Sequence, residues 1–260
     1  MSDLEYSVSA HVATITLNRP SRMNAFTLTM VDQWARALQA AEGDDDVRIV
    51  VVTGTGKAFC SGVDLDEFTG ETRGPLQEKQ LLTDRVHKVA HTLEAMGTPV
   101  IAAVNGVAVG AGMDMSLMCD LRFAAASARF SEGYVRVGLV PGDGGCYYLP
   151  RIVGTAAALR LLLTGEFIDA QEALRIGLVT DVFADDEFAT RVQEFAASVA
   201  RQAPVAVQMI KRAVRGAERH DLRTALDLIS SHQAVVTSTQ DSREAMAAFR
   251  ERRTAIFEGR

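Results

Sequence analysis

The stretch PVIAAVNGVAVGAGMDMSLMCD, residues 99–120, decides the fold. Residues 99–106 are apolar and rich in β-branched side chains, which predicts a buried strand. A glycine-rich turn follows, and we expect a helix to begin near Gly110, with Asp114 about one turn later. Small residues from Gly110 to Gly112 would let the strand and helix pack closely. They would equally let a substrate oxygen reach the unpaired N–H groups of the first helical turn. This stretch alone leaves both interpretations open.

The pattern on either side indicates an α/β protein. Residues 4–17 alternate apolar and polar side chains, as two short strands with a tight connection would. Thr27 can cap a helix over residues 28–41, and residues 48–54 form another buried apolar run. From Thr155 onward the pattern is helical. Strands followed by helices at this spacing predict crossover connections, with catalytic loops at strand ends.

Composition and charge limit the kinds of molecule that the protein is expected to bind. The chain has 260 residues and a formal net charge of −6, which argues against a general nucleic-acid binder. Its longest apolar stretch, residues 99–118, is interrupted by glycines, an asparagine and an aspartate, so we predict no membrane span. The N-terminus lacks the features of a secretory signal, and we predict a cytoplasmic protein. The segment HKVAH carries His87 and His91, which we interpret as a surface pair and not as a metal site.

A second glycine-containing loop resembles the first in its setting. Residues 59–65, FCSGVDL, follow the buried run at 48–54. Gly62 allows a backbone angle that would expose the N–H of Val63. Two such backbone donors, the N–H of Val63 and one at the start of the helix near Gly110, would form an oxyanion hole.

Six segments carry a further signal in their order and spacing: LNRPSRMNAF (17–26), GTGKAFCSGVDL (54–65), PVIAAVNGVAVGAGMDMSLMCDLRFA (99–124), VGLVPGDGGCYYLPRIVG (137–154), LTGEFIDAQEALRIGLVTDV (163–182) and AAFRERRTAIFEGR (247–260). Together they resemble the crotonase, or enoyl-CoA hydratase/isomerase, superfamily over almost the whole chain. The resemblance implies a ββα spiral core over residues 1–200 and a C-terminal helical oligomerisation region over 201–260. It also implies a homotrimer or dimer of trimers and acyl-CoA thioester substrates. No metal or separate cofactor is expected, since CoA is part of the substrate.

The resemblance also implies roles for individual residues. The N–H groups of Val63 and Ala111 would bind the thioester carbonyl and stabilise the enolate formed from it. The residues expected along the CoA moiety are Arg22, Ala25, Ser61, Asp64, Leu65, Phe249 and Arg253.

The acids depart from the usual hydratase pattern. Enoyl-CoA hydratases of this superfamily carry two glutamates, and here Asp114 and Tyr134 occupy those positions. An aspartate at the first position resembles the dienoyl-CoA isomerases, although those have a glutamate at the second. Asp143, between glycines, is a candidate replacement acid, or else an ordinary turn residue. Glu132 is expected to point away from the pocket.

These features predict an acyl-CoA enzyme of the hydratase/isomerase type, in which Asp114, Asp143 and Tyr134 handle proton transfer beside a stabilised enolate. Two alternatives remain. One is a thioester hydrolase or another reaction of the same fold, in which a carboxylate directs water to the carbonyl. The other is an acyl-CoA-binding protein without catalytic activity.

Overall fold

The computed structural model describes residues 2–68 and 73–260. Within those residues the strands are β1 (Leu4–Ser9), β2 (Val12–Leu17), β3 (Ile49–Gly54), β4 (Ala58–Cys60), β5 (Val100–Val104), β6 (Val107–Val109), β7 (Leu121–Ala125), β8 (Arg129–Ser131), β9 (Ile168–Asp169) and β10 (Asp181–Phe183). The α-helices are α1 (Leu28–Glu42), α2 (Leu65–Phe68), α3 (Pro75–Leu81), α4 (Lys88–Ala95), α5 (Ala111–Leu117), α6 (Gly145–Val153), α7 (Thr155–Thr164), α8 (Ala170–Arg175), α9 (Phe188–Ala200), α10 (Pro204–Ala217), α11 (Leu222–Ser238) and α12 (Gln240–Glu251).

The strands form two sheets that the chain visits in turn. The larger sheet has the order β1-β2-β3-β5-β7-β10, and the smaller has the order β4-β6-β8-β9. Each of the pairs β3/β4, β5/β6 and β7/β8 places its first strand in the larger sheet and its second in the smaller. In the larger sheet β3, β5 and β7 run parallel to one another, and in the smaller sheet β4, β6 and β8 do. This repeat is a ββ-helix spiral, and the predicted α/β class is confirmed.

Both faces of the larger sheet are buried. Trp34 and Leu38 of α1 pack in the main core with Val50 and Val52, while Val51 faces a second core with Phe188 of α9. A parallel sheet with two covered faces requires a nearly continuous apolar run, which explains the composition of β3. The predicted cap of α1 is present, because the N–H of Met30 donates to Thr27 Oγ1 at 3.1 Å.

The C-terminal region is helical from α10 to α12, and its tail folds back on the core. The Arg48 guanidinium donates to the Phe257 carbonyl at 2.8 Å. Asp241, almost fully buried, accepts hydrogen bonds from the N–H groups of Glu258 and Gly259. A role for residues 201–260 in oligomerisation stays a prediction. Among the described helices, none has the length and apolar character that crossing a bilayer demands.

Candidate active site

The candidate site lies at one edge of the smaller sheet. Strands β4, β6 and β8 are parallel neighbours, with Cys60 opposite Ala108 and Val109 opposite Ser131. Their carboxyl ends therefore meet at the same edge. The loops that follow them bring together Val63, the start of α5, and residues 132–134.

Glycine is required where the first two loops meet. Gly62 has a φ of +98°, and a Cβ on it would lie 3.0 Å from the Val109 carbonyl oxygen and 3.6 Å from the Ala111 nitrogen. Bonds from Phe26 N–H to the Gly62 carbonyl and from Asp64 N–H to the Phe26 carbonyl, each 2.9 Å, hold the loop on both sides of Val63. Because these contacts are so close, they fix the backbone conformation of the loop.

The N–H groups of Val63 and Ala111 are candidates for oxyanion binding on geometric grounds. Over residues 2–68 and 73–260, no backbone bond outside the regular elements uses either N–H as donor. Ala111 is the first residue of α5, so its N–H has no partner within the helix. The two loops lie in contact at Gly62, which brings these donors to the same place.

Three predicted catalytic residues lie in direct contact. The Tyr134 hydroxyl lies 2.9 Å from Asp114 Oδ2 and 2.7 Å from Asp143 Oδ2. A phenol has one proton, so it can donate to only one of the two carboxyls. The other hydrogen bond requires a protonated carboxyl that donates to the phenol oxygen. The two hydrogen bonds together therefore require one proton besides that of the phenol, and either Asp114 or Asp143 holds it.

Burial shifts the acidity of this group. Loss of hydration, followed by the nearby charge of Asp143, raises the pKa of Asp114 to about 7. Burial likewise raises the pKa of Asp143, which the Tyr134 hydrogen bond and the charge of His87 oppose. Burial also raises the pKa of Tyr134, so the phenol is protonated at neutral pH. Asp114 is thus placed to change protonation state near neutrality.

The expectation that Glu132 points away from the site is wrong. Glu132 is fully buried, and its carboxyl lies close enough to that of Asp114 for each to shift the pKa of the other. Burial, and then the charge of Asp114, raise the pKa of Glu132 to about 10. The two-residue period of β8 was the signal available in the sequence: Glu132 follows buried Phe130 by two positions, which favours the same inward face.

His87 and His91, interpreted as a surface pair, lie 6.2 Å apart between ring centres, and His91 is exposed. His87 makes one contact that the sequence did not indicate. Its ring is half-buried, and Nε2 donates to the Gly142 carbonyl oxygen at 2.7 Å. A π-helical turn over Leu82–Val86 precedes it. His87 therefore anchors the loop that carries Asp143. No group of metal-ligating side chains occurs in the part of the chain that is described.

Two openings lie at the candidate site, one beside Val63 and one beside Asp143. A cleft of about 380 Å³ is lined by Ser21, Arg22, Met23, Ala25, Val63, Asp64, Leu65 and Asp66. Ser61 lies beside it, since its N–H donates to the Met23 carbonyl at 3.0 Å. A larger cavity of about 960 Å³ begins at Asp143 and extends along α6 to α10. The cleft adjoins the backbone donors, and the cavity adjoins the acids.

The residues predicted along CoA fall into two groups. Arg22, Ala25, Ser61, Asp64 and Leu65 gather at the smaller cleft, where Asp64 pairs with Arg19 at 2.8 Å. That hydrogen bond holds the pKa of Asp64 below its usual value. Phe249 is exposed on α12, and Arg253 pairs with Glu244 and Glu251. No hydrogen bond or ion pair between described residues joins Phe249 or Arg253 to the cleft, and their role stays a prediction.

Comparison with known proteins agrees with this geometry. Residues 7–260 match the family model described as enoyl-CoA hydratase/isomerase. The chain is 37% identical to the 1,2-epoxyphenylacetyl-CoA isomerase of Escherichia coli K12 over 254 residues, covering 97% of each protein. It is 39% identical to the (E)-benzylidenesuccinyl-CoA hydratase of Thauera aromatica over 260 residues, again covering 97% of each. A crystal structure of enoyl-CoA hydratase from Bacillus anthracis superposes with a TM-score of 0.93 at 33% identity, covering 100% of both chains.

The spiral of paired strands and the loops at their ends are those of a crotonase-fold protein, as predicted. The chain belongs to the enoyl-CoA hydratase/isomerase family. The family is one of acyl-CoA enzymes.

Proposed function

We propose that the protein is an acyl-CoA isomerase, which moves a double bond within an unsaturated thioester by proton transfer. The Tyr134 hydroxyl lying between Asp114 and Asp143 is the observation that carries this proposal. Two acids joined through one phenol can exchange a proton without water. Isomerisation needs one group to remove a proton from carbon and another to return one.

The backbone donors stabilise the intermediate. When a proton leaves the carbon chain, its electrons delocalise into the thioester and place negative charge on the carbonyl oxygen. The N–H groups of Val63 and Ala111 would donate to that oxygen, and the positive end of the α5 dipole would favour the charge. The contact of the two loops at Gly62 supports this assignment.

The acidic cluster can remove one proton, return another and regain its starting protonation state without an outside proton donor. Ionised Asp114 takes a proton from one carbon of the substrate, and a dienolate forms. Protonated Asp143 gives its proton to another carbon, the dienolate collapses, and the product is an isomer of the substrate. The cluster then holds its proton on Asp114. Transfer to the Tyr134 oxygen, with release of the phenol proton to Asp143, restores the starting state.

Hydration is the second candidate, and the names of several relatives favour it, among them the Thauera aromatica protein. In this chain, however, a protonated phenol stands at the second acid position. A phenol whose pKa is raised is a poor base for activating water. The Escherichia coli K12 relative is named an isomerase. These points favour proton relocation over water addition.

The reaction can be identified by mass spectrometry after incubation with enoyl- and dienoyl-CoAs in water containing heavy oxygen and deuterium. We expect a product that gains deuterium, gains no heavy oxygen and has a shifted double bond. Heavy oxygen retained in the acyl chain of an intact thioester would establish hydration instead. Release of free CoA would indicate hydrolysis, and no change with any substrate would indicate an acyl-CoA-binding protein.

The larger cavity is the proposed site of the acyl chain, because it adjoins Asp143 and its volume of about 960 Å³ lies within the range of small-molecule pockets. The smaller cleft would hold the CoA end beside Val63. Assembly as a trimer or dimer of trimers and a cytoplasmic location stay predictions.

Activity should depend on pH through Asp114. The base must be ionised, and the pKa of Asp114 is raised to about 7. We therefore expect kcat/KM to fall about tenfold per pH unit below an apparent pKa near 7. The measurement is kcat/KM from pH 5 to 9, with folding checked at each pH by circular dichroism. A flat profile over that range would exclude a base with this pKa.

The relay can be tested with Tyr134→Phe. Removing the hydroxyl disconnects Asp114 from Asp143, and we expect kcat to fall about 10²-fold, at the lower end of the range for general acid–base catalysis. Tyr6→Phe is the matched control, because Tyr6 is an exposed tyrosine of β1, which belongs to the larger sheet and not to the sheet that carries the site. Equal kcat for Tyr134→Phe and the wild type would show that the acids act independently of the phenol.

A further inference from the structure

One buried acid in the site has no part in the proton transfers proposed above. Glu132 follows β8 and is fully buried, and neither of its oxygens accepts a hydrogen bond from an N–H or O–H group within the described residues. No lysine or arginine in the described chain forms an ion pair with it. An ionised carboxylate without hydration, hydrogen-bond donor or counter-charge is strongly unfavourable. Among the neighbouring charges, that of Asp114 has the largest effect on the pKa of Glu132, so the Asp114 carboxyl is the group that Glu132 faces.

The two oxygens of Asp114 have different surroundings. Oδ2 contacts the Tyr134 hydroxyl at 2.9 Å. Oδ1 is packed against Gly145, where an added Cβ would lie only 2.3 Å away. Oδ1 has no hydrogen-bond partner among the described residues. Because Tyr134 occupies Oδ2, Oδ1 is the oxygen left for Glu132.

Two carboxyls in contact are stable only when they share a proton. A carboxyl can donate a hydrogen bond only in its protonated form, so one of the pair must be protonated. The Tyr134 hydroxyl can stabilise an ionised Asp114 through Oδ2, whereas no donor in the described chain can stabilise an ionised Glu132. Burial also raises the pKa of Glu132, to about 10, further than that of Asp114, to about 7, and both points favour Glu132 as the group that holds the shared proton. The other titratable groups facing the pair are Tyr134, Asp143 and the Cys146 thiol, with His87 beside Asp143. No group among these is a cation in direct contact with Glu132.

We propose that Glu132 is a positioning residue, which in its protonated form donates a hydrogen bond to Asp114 Oδ1 and turns Oδ2 toward Tyr134. This inference rests on the proposed function, because it explains the orientation of the proposed base, Asp114. Glu132 does not touch the substrate and exchanges no proton with it. The hydrogen bond favours the ionised form of Asp114, so its loss should make the base harder to ionise.

Paired substitutions separate this role from simple packing. Glu132→Gln retains an N–H donor of nearly the same shape, whereas Glu132→Leu and Glu132→Met fill the space without a donor. We expect Glu132→Gln to keep kcat within about threefold of the wild type and the acidic limb of kcat/KM near its original pH. The apolar variants should lose about tenfold or more in kcat, with the limb moved upward by about one pH unit. Whichever apolar variant folds as the wild type does provides the comparison.

The proposal would be overturned if a folded apolar variant had the kcat of the wild type and lost activity at the same acidic pH. It would also be overturned if Glu132→Gln lost as much kcat as the apolar variants.

Infrared spectroscopy gives a test that needs no substrate. At pH 8 the wild type should show the C=O stretches of two protonated carboxyls, one on Glu132 and one in the Asp114–Asp143 pair, and Glu132→Gln should lose the first of them. A Glu132→Gln spectrum with both bands unchanged refutes a proton on Glu132. Because the band is independent of turnover, this result stays distinguishable from failure of the proposed reaction.

Discussion

Replacing Asp114 by Asn is expected to lower kcat by about 10²- to 10⁴-fold, the range for loss of a general base. The amide has almost the same shape but cannot take a proton from carbon. Steady-state kinetics on the isomerised substrate, together with the affinity for CoA, provide the measurement. Affinity should stay unchanged, because Asp114 lies outside the cleft lined by Arg22 and Leu65.

The same variant should be more stable than the wild type at high pH. The pKa of Asp114 rises from its usual value of 3.8 to about 7 on folding, so the folded state holds the proton more tightly. The stability that this proton confers is complete below pH 3.8 and is lost as the pH rises through about 7. Between those values the wild type should lose up to about 1.4 kcal/mol per pH unit that Asp114→Asn does not lose.

Two controls make the result interpretable. Asp181→Asn changes an exposed aspartate of β10 and should leave kcat unchanged. Asp143→Asn removes the proposed acid and should also lower kcat. Full activity of a folded Asp114→Asn protein would mean that another group is the base. Equal losses in Asp114→Asn and Asp181→Asn would point to a general effect on the protein.

Gly112→Ala is expected to destabilise the protein most among the glycine substitutions at the site. An added Cβ would lie 2.1 Å from the Cys60 carbonyl oxygen, which is backbone and cannot rotate away. The start of α5 must then move off β4, at a cost of about 3 kcal/mol or more. We expect the Tm to fall by about 10 °C. The shift would also separate the Val63 and Ala111 N–H groups, so kcat should fall in the protein that remains folded.

Gly216→Ala is the matched control for the same chemical change. Gly216 lies in α10, and nothing lies within 4 Å of the position that its Cβ would take. Alanine is the better helix former, so this variant should gain up to about 1 kcal/mol of stability. Thermal unfolding of both variants tests the contrast. A Gly112→Ala protein as stable as Gly216→Ala would show that α5 does not pack against β4 as described.

Local patterns were sufficient for the elements themselves. The apolar run at 48–54, the cap at Thr27 and the glycine-rich turn before α5 each have a physical signature within a few residues. Val63 could be named as a candidate because it follows a glycine after a buried strand, and Asp114 because it lies about one helical turn after Gly110. The sequence did not reveal how the acids contact one another, since Asp114, Glu132 and Asp143 lie on three separate segments.

Sequence by itself therefore determined the α/β spiral and the glycines that bring Val63 and Ala111 near each other. Only the tertiary structure decided the acid chemistry. The parallel order of β4, β6 and β8 places Glu132 against Asp114, and the loop held by His87 places Asp143 on the Tyr134 hydroxyl. Acidity depends on burial and on neighbouring charges, and both are properties of the packed molecule that no short stretch of residues contains.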